Sequence, residues 1–218
     1  MAVSAAIFDL DGVIVNTVPF HFRAWKRMFE GYGHKFSMED YLAKVDGRPR
    51  LEGAAAILTE LSPEEIEKAG GKKQGYYLEL LETEPMEIFE SSVMRIKELK
   101  ERGIKLAAAS SSKNAVRILK KINLLEIFDA NVSGADFEKG KPDPEIFLTA
   151  AARLKVKPEE SVVFEDAKSG VQAALNGGFI CVAIDRHNNP EALKGADIMV
   201  KDLSEITVDQ ILSLKKGS

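Results

Sequence analysis

Short apolar runs alternate with helical periodicity over most of the chain. Residues 3–8 (VSAAIF) form a run that ends at Asp9, and residues 105–109 (KLAAA) one that ends at Ser110. Residues 161–164 (SVVF) end at Glu165, and residues 180–184 (ICVAI) end at Asp185. Residues 130–133 (ANVS) and 197–200 (DIMV) are weaker strand candidates. Between the runs lie helical patterns. Val93, Ile96 and Leu99 share one face of 92–102 before Gly103 stops it. Val116, Leu119 and Ile122 recur at helical spacing in 113–122, Pro144 stands in the first turn of 144–154, and Gly177-Gly178 closes 168–176. Buried strands alternating with helices predict an α/β fold, a Rossmann-like doubly wound parallel sheet covered on both faces. Ligands bind such sheets beyond the carboxyl ends of the strands, so the polar residues that end these runs are the place to look for chemistry.

Residues 17–85 break the alternation. The text there is helical (HFRAWKRMF, EDYLAKV, LEGAAAILTEL, PEEIEKAGGKKQGYYLELL), with no strand pattern between. A block this long is no ordinary crossover and predicts an inserted helical cap. The expected domains are therefore a core of 1–16 and 86–218 and a cap of 17–85. No internal repeat or low-complexity segment is evident, and the tail from Lys215 reads as frayed.

Composition narrows the function. The 218 residues are 45% hydrophobic and 29% charged, as in a globular protein that needs no staples. Thirty basic against thirty-four acidic residues leave a net charge of −4, which argues against a nucleic-acid partner. No apolar run approaches the roughly 18 residues of a membrane span, and Asp9 and Asp11 interrupt the N-terminal stretch, so neither a membrane partner nor a signal peptide is expected. Cys181 is the single cysteine, which excludes a disulfide framework and makes the cytoplasm the default location. A small-molecule substrate and a monomer are the expectation.

Four short segments carry candidate chemistry. In Asp9-Leu10-Asp11-Gly12 two acids face one crevice if extended geometry persists to Asp11, and Gly12 permits a sharp turn. Such a pair divides roles, one ionised and nucleophilic, the other acid and base; alone it also suits a solvated turn. Ser110-Ser111-Ser112 before Lys113 offers hydroxyls and amides to a phosphate, or plain helix capping by Ser112. Lys141, in Lys-Pro-Asp-Pro, neutralises an anion or is a surface lysine. Glu165-Asp166, beyond a strong strand, suits a hard cation such as Mg²⁺ or an N-terminal helix cap. Each signal is weak alone. In this order they supply a nucleophile, phosphate donors, a cation and a metal ligand, the parts of phosphoryl transfer.

This ordered set resembles the haloacid dehalogenase superfamily. DLDGVIVNT at 9–17, ASSS at 109–112, Lys141-Pro-Asp-Pro and Glu165-Asp166 match its four motifs, and the helical insertion matches its small cap. Within it, Thr17, HFRAWK at 21–26, the loop Asp46-Gly47-Arg48-Pro49-Arg50 and SSSKN at 110–114 are similar to the β-phosphoglucomutase group. The resemblance implies Mg²⁺-dependent phosphoryl transfer on a small phosphorylated metabolite, a sugar phosphate. It implies that Asp9 becomes an aspartyl phosphate. Asp11 serves as acid and base and lends its main-chain carbonyl to the metal. Asp166 joins Asp9 on Mg²⁺, and Glu165 is a further ligand or water holder. Ser110, Lys141 and the amide of Ser111 hold the transferring group, with Ser112 beside them. Arg50 takes the distal phosphate, and Thr17 and His21 couple cap closure to the site. Asp46 and Gly47 belong to the substrate loop. Some mutases of this group carry lysine where this chain has Asp46, while others read VDGxPR as here; Asp46 accepts sugar hydroxyls or pairs with Arg48 or Arg50.

Trp25, with Met28 and Phe29, reads as cap packing ahead of a sugar platform, and Trp25 remains a substrate-side candidate. His34 and His187 read as surface residues, Cys181 as a small core residue, and Lys68, Lys72 and Lys73 as a solvated face. Two activities share these residues: a mutase converting β-glucose 1-phosphate to glucose 6-phosphate, and a phosphatase in which water attacks the aspartyl phosphate. Intact Asp9, Asp11, Lys141 and Asp166 argue against a non-catalytic binding module, and Asp11 with Asp166 argues against a metal-free dehalogenase.

Overall fold

The computed structural model describes residues 3–45, 48–186 and 188–216. In chain order the elements are β1 (Ala5–Phe8), β2 (Val15–Asn16), α1 (Val18–Glu30), α2 (Met38–Asp40), α3 (Arg50–Ala55), α4 (Pro63–Thr83), β3 (Glu87–Ile88) and α5 (Glu90–Glu101). Then follow β4 (Lys105–Ala109), α6 (Ala115–Lys121), β5 (Ala130–Val132), α7 (Glu145–Leu154), β6 (Ser161–Glu165), α8 (Lys168–Asn176), β7 (Ile180–Ile184), β8 (Ile198–Val200) and α9 (Val208–Ser213). The chain divides into two compact units, Met1–Asn16 with Glu87–Ser218, and Thr17–Met86. Among the described residues no helix is long and apolar enough to cross a membrane.

The first unit is built on a six-stranded sheet in the order β5-β4-β1-β6-β7-β8. Every pairing in it is parallel. β1, β6 and β7 are buried along their whole length, which explains their unbroken apolar text. The alanines of β4 serve two faces. Ala107 and Ala109 join a cluster with Ile146, Phe147, Ala150, Ala151 and Leu154 of α7, while Leu106 and Ala108 point to the other face. Register aligns the strand ends: Phe8 stands opposite Ala108 on one side and Phe164 on the other. The Phe8 and Phe164 rings stack with centroids 4.4 Å apart, and the amide of Asp9 donates to the Phe164 carbonyl at 3.0 Å. Asp9 and Glu165 therefore leave the sheet at the same level. A separate two-stranded ribbon pairs β2 with β3 antiparallel, where the chain departs for and returns from the second unit.

The second unit is helical. α1 and α4 enclose a cluster of Trp25, Met28, Phe29, Phe36, Tyr41, Ile66 and Ala69. Ser62 and Glu65 close a reciprocal capping box at the start of α4. α2 runs into a π turn over Tyr41–Val45.

Three expectations are corrected. Val116 is 39% exposed, because the buried stripe of α6 passes through Ala115, Ile118 and Leu119. The helix expected over 51–61 stops at Ala55, and Ser62 restarts the chain as α4. Lys73 is not on a solvated face: it is 4% exposed. Asp46, Gly47 and His187, expected as substrate-loop and surface residues, lie outside the described residues.

Candidate active site

Two strand ends and the loop before α7 assemble a charged cluster in the first unit. Asp9 follows β1 and is 5% exposed, and Glu165 ends β6 and is 1% exposed. Lys141 Nζ donates to Asp9 Oδ1 and to Glu165 Oε2, both at 2.6 Å. It also lies 5.0 Å from the Phe147 ring centroid. Oε1 of Glu165 accepts the amides of Asp166 at 3.2 Å and Ala167 at 3.0 Å. Glu165 is thus anchored through both oxygens and in turn aims Lys141 at Asp9. Burial alone would drive the Lys141 ammonium toward neutrality, but Asp9 and Glu165 outweigh it and hold its pKa above the ordinary value.

The carboxylates are not balanced by that one cation. Burial pushes the Asp9 carboxyl up, Lys141 pulls it down, and Glu165, Asp11 and Asp166 push it up again; the net direction is well above the usual carboxylate range. Burial and the charge of Glu165 raise Asp166 in the same way. One oxygen each of Asp9, Glu165 and Asp166 lies within 4.8 Å of the others. Hard oxygen donors short of positive charge fit a divalent cation, whose binding would offset this repulsion. Two glycines make the arrangement possible. A Cβ on Gly12, which has φ +82°, would overlap the Asp166 carboxylate, and a Cβ on Gly170 would overlap that of Glu165.

The serine segment divides its labour. Ser110 is 1% exposed, and its hydroxyl donates to Asp11 Oδ2 at 3.0 Å while accepting the Ser112 amide at 3.0 Å. Expected as a phosphate donor, it is aimed here at Asp11. Ser112 Oγ accepts the Asn114 amide at 3.1 Å, so it closes a turn. A Cβ on Gly134 would overlap the Ser111 carbonyl, so that glycine lets the Ser111 loop lie close.

The second unit has a polar cluster of its own. Lys73 Nζ lies 2.8 Å from His21 Nδ1, and 5.1 and 4.9 Å from the Trp25 and Tyr77 ring centroids. His21 stacks on Tyr77 with centroids 4.3 Å apart. Burial, then the nearby Arg50 charge, brings the Lys73 pKa down to about 7. Burial, then Lys73, lowers His21 well below its ordinary value. Arg50 Nη1 donates to Gln74 Oε1 at 3.2 Å. Thr17 is buried at the start of α1, its carbonyl accepting the His21 amide at 3.0 Å. Lys73 is the residue the sequence reading missed. Its signal was Gly70 inside a helical pattern, because a Cβ there would meet the Leu51 side chain at 2.8 Å.

Comparison with known proteins matches residues 3–178 to the haloacid dehalogenase-like hydrolase family. The chain belongs to that family. As a haloacid dehalogenase-like hydrolase it is an enzyme of the phosphomutase and phosphatase kind. It is 34% identical to a beta-phosphoglucomutase of Bacillus subtilis, over 94% of this chain and 92% of the relative. It is 38% identical to a phosphorylated carbohydrates phosphatase of Thermotoga maritima, over 90% and 94%. The crystal structure of a beta-phosphoglucomutase from Clostridium difficile matches with TM-score 0.83 at 28% identity, over 96% of this chain and 95% of that one. Haloacid dehalogenase-like hydrolases generally use a divalent metal, and the Asp9, Glu165 and Asp166 group is its candidate seat.

Proposed function

We propose that this enzyme transfers phosphoryl groups of a sugar phosphate through Asp9, converting β-glucose 1-phosphate to glucose 6-phosphate. The observation that carries the reading is the double hydrogen bond from Lys141 to Asp9 and Glu165 at 2.6 Å, beside a serine aimed at Asp11. A buried cation holds one carboxylate in place as nucleophile, and a second carboxylate stands apart with a hydroxyl partner for proton transfer.

In this mechanism a carboxylate oxygen of Asp9 bonds to phosphorus, and the bond from phosphorus to the sugar oxygen breaks. Asp11 gives that oxygen its proton. The resulting aspartyl phosphate is then attacked by the 6-hydroxyl of β-glucose 1-phosphate, whose proton returns to Asp11. Asp9 is regenerated and the product is glucose 1,6-bisphosphate, which reorients so that its 1-phosphate is the next to react with Asp9 and glucose 6-phosphate leaves. Lys141 meets the negative charge that gathers on the phosphoryl oxygens. Asp9, Asp166 and the Asp11 carbonyl would hold Mg²⁺, with Glu165 as further ligand or water holder; when bound, the ion supplies positive charge to those oxygens. Arg50 is the anchor for the phosphate that is not reacting, since a guanidinium grips it in two places.

The phosphatase reading keeps every step except the last, where water replaces the sugar hydroxyl. The identity to the Thermotoga maritima phosphatase favours it, as does the acidic Asp46 in the sequence where some mutases carry lysine. One incubation separates the two. The protein is mixed with β-glucose 1-phosphate, Mg²⁺ and a trace of glucose 1,6-bisphosphate, and glucose 6-phosphate and free phosphate are followed together. The mutase makes glucose 6-phosphate faster than phosphate. Free phosphate as the sole product turns the assignment to a phosphatase, and no turnover of any phosphate ester contradicts both.

A further inference from the structure

Arg186 follows β7, at a strand end whose polar residues the mechanism above does not use. Its side chain is only 14% exposed, yet it bridges segments far apart in the chain. Nε donates to the Gly12 carbonyl at 3.2 Å, and Nη1 donates to Asp202 Oδ2 at 2.9 Å. The guanidinium carbon lies 3.9 Å from the centroid of the Phe89 ring. Phe89 itself is tied to the first segment, its amide donating to the Ile14 carbonyl at 2.9 Å. Asp202 is held by Ser91 Oγ at 2.7 Å and by the Ser204 amide at 2.9 Å.

The turn that carries Asp11 is closed from within by the Gly12 amide on the Val15 carbonyl at 2.8 Å and the Ile14 amide on the Leu10 carbonyl at 2.9 Å. The position of a missing Cβ on Gly12 is filled by the Asp166 carboxylate. The Gly12 carbonyl, in the peptide that links Gly12 to Val13, is thus a handle by which the rest of the fold grips the turn one residue beyond Asp11, and Arg186 holds it. The grip has a cost. Nη2 of Arg186 is buried without a hydrogen-bond partner among the described residues, a deficit that an apolar side chain of similar size would not carry.

We propose that Arg186 is a positioning residue for phosphoryl transfer: by holding the Gly12 carbonyl it sets the Asp11 carboxyl where it protonates the leaving oxygen. The inference rests on the phosphoryl-transfer reading above and adds a residue to it. It predicts a loss that depends on the leaving group. An alkyl phosphate needs a proton on its departing oxygen, whereas 4-nitrophenyl phosphate leaves without one.

The test measures kcat/KM for both esters in wild type, R186M, R186K and D202N, with thermal unfolding as the check on folding. R186M should lose about 10- to 100-fold on the alkyl phosphate and less than about threefold on 4-nitrophenyl phosphate, within the usual size of general-acid effects. R186K keeps a donor without the fork and should recover part of the loss. Should R186M fail to fold, D202N decides: it leaves Arg186 in place without its charged partner and should show the same selectivity at about three- to tenfold. Equal losses on both esters, or none, overturn the role of Arg186. Wild-type protein inactive on both esters contradicts the phosphoryl-transfer reading itself.

Discussion

Lys141 in the first unit and Lys73 in the second are both withdrawn from solvent, and they end in opposite states. Lys141 is 10% exposed through its side chain and meets two carboxylates, which hold its proton more firmly than water would. Lys73 is surrounded by His21, Trp25 and Tyr77 with the Arg50 charge nearby, and its pKa falls to about 7. Burial works in the same direction on both; the partner decides the outcome. The first is a fixed charge fit to hold a nucleophile and a phosphoryl group. The second gains or loses its proton near neutrality, so an arriving anion would favour its charged form.

The comparison is most exposed at its nucleophile. Asp9→Asn keeps the shape beside Lys141 but removes the attacking carboxylate, and turnover should fall by about 10⁴-fold or more. Because burial and neighbouring carboxylates already disfavour the Asp9 charge, unfolding should occur at an equal or higher temperature. Near-normal turnover in this variant breaks the mechanism.

Removing the two lysines should give opposite stability changes. Lys141→Met strands Asp9 and Glu165 as buried carboxylates and should cost about 3–5 kcal/mol, read by urea unfolding, along with most activity. Lys73→Met removes a buried amine that has no carboxylate partner among the described residues, and should leave stability near neutral pH unchanged or higher. Equal destabilisation by both would erase the distinction.

Gly170→Ala reaches the cluster without replacing a charged group. The new Cβ overlaps the Glu165 carboxylate, so Glu165 must move and Lys141 with it. A loss of about 1–3 kcal/mol and a fall in kcat are expected, and wild-type behaviour would show that Glu165 does not need its place.

The last effect is a slope. The folded pKa of Lys73 lies below its unfolded value of about 10.4, so the unfolded chain binds more protons between roughly pH 7 and 10. Stability from this group therefore rises with pH across that window, by at most about 1.4 kcal/mol per pH unit, and is absent in Lys73→Met. Lys141 has its pKa raised above the unfolded value, so both states keep it charged over most of the window and its contribution changes little there. Urea unfolding of wild type and Lys73→Met between pH 7 and 9.5 reads the difference directly.

The contrast also explains what was legible in the sequence. Asp9, Ser110 and Glu165 stand at the ends of apolar runs, and parallel pairing brings such ends to one edge of a sheet whatever the strand order. The order β5-β4-β1-β6-β7-β8 was not readable, because nothing in a buried apolar run names its neighbour. Lys73 was hidden for a different reason. Its burial depends on α1 and α3 packing against α4, and Lys72 and Lys73 look alike until that packing is known. The clue lay in Gly70, three residues before it, rather than in the lysine. Arg186 had no signal of its own, since its partners Gly12, Phe89 and Asp202 are scattered along the chain.

The most direct test of the central claim is to trap the phosphoryl group on the protein. The enzyme is mixed with Mg²⁺ and a phosphate ester it turns over, quenched in acid within milliseconds, and mapped by peptide mass spectrometry. The account predicts a single acid-stable, base-labile phosphate on Asp9, formed at a rate at least equal to turnover and absent in Asp9→Asn. Turnover at full rate with no phosphate on Asp9, or with the label on another residue, would contradict it.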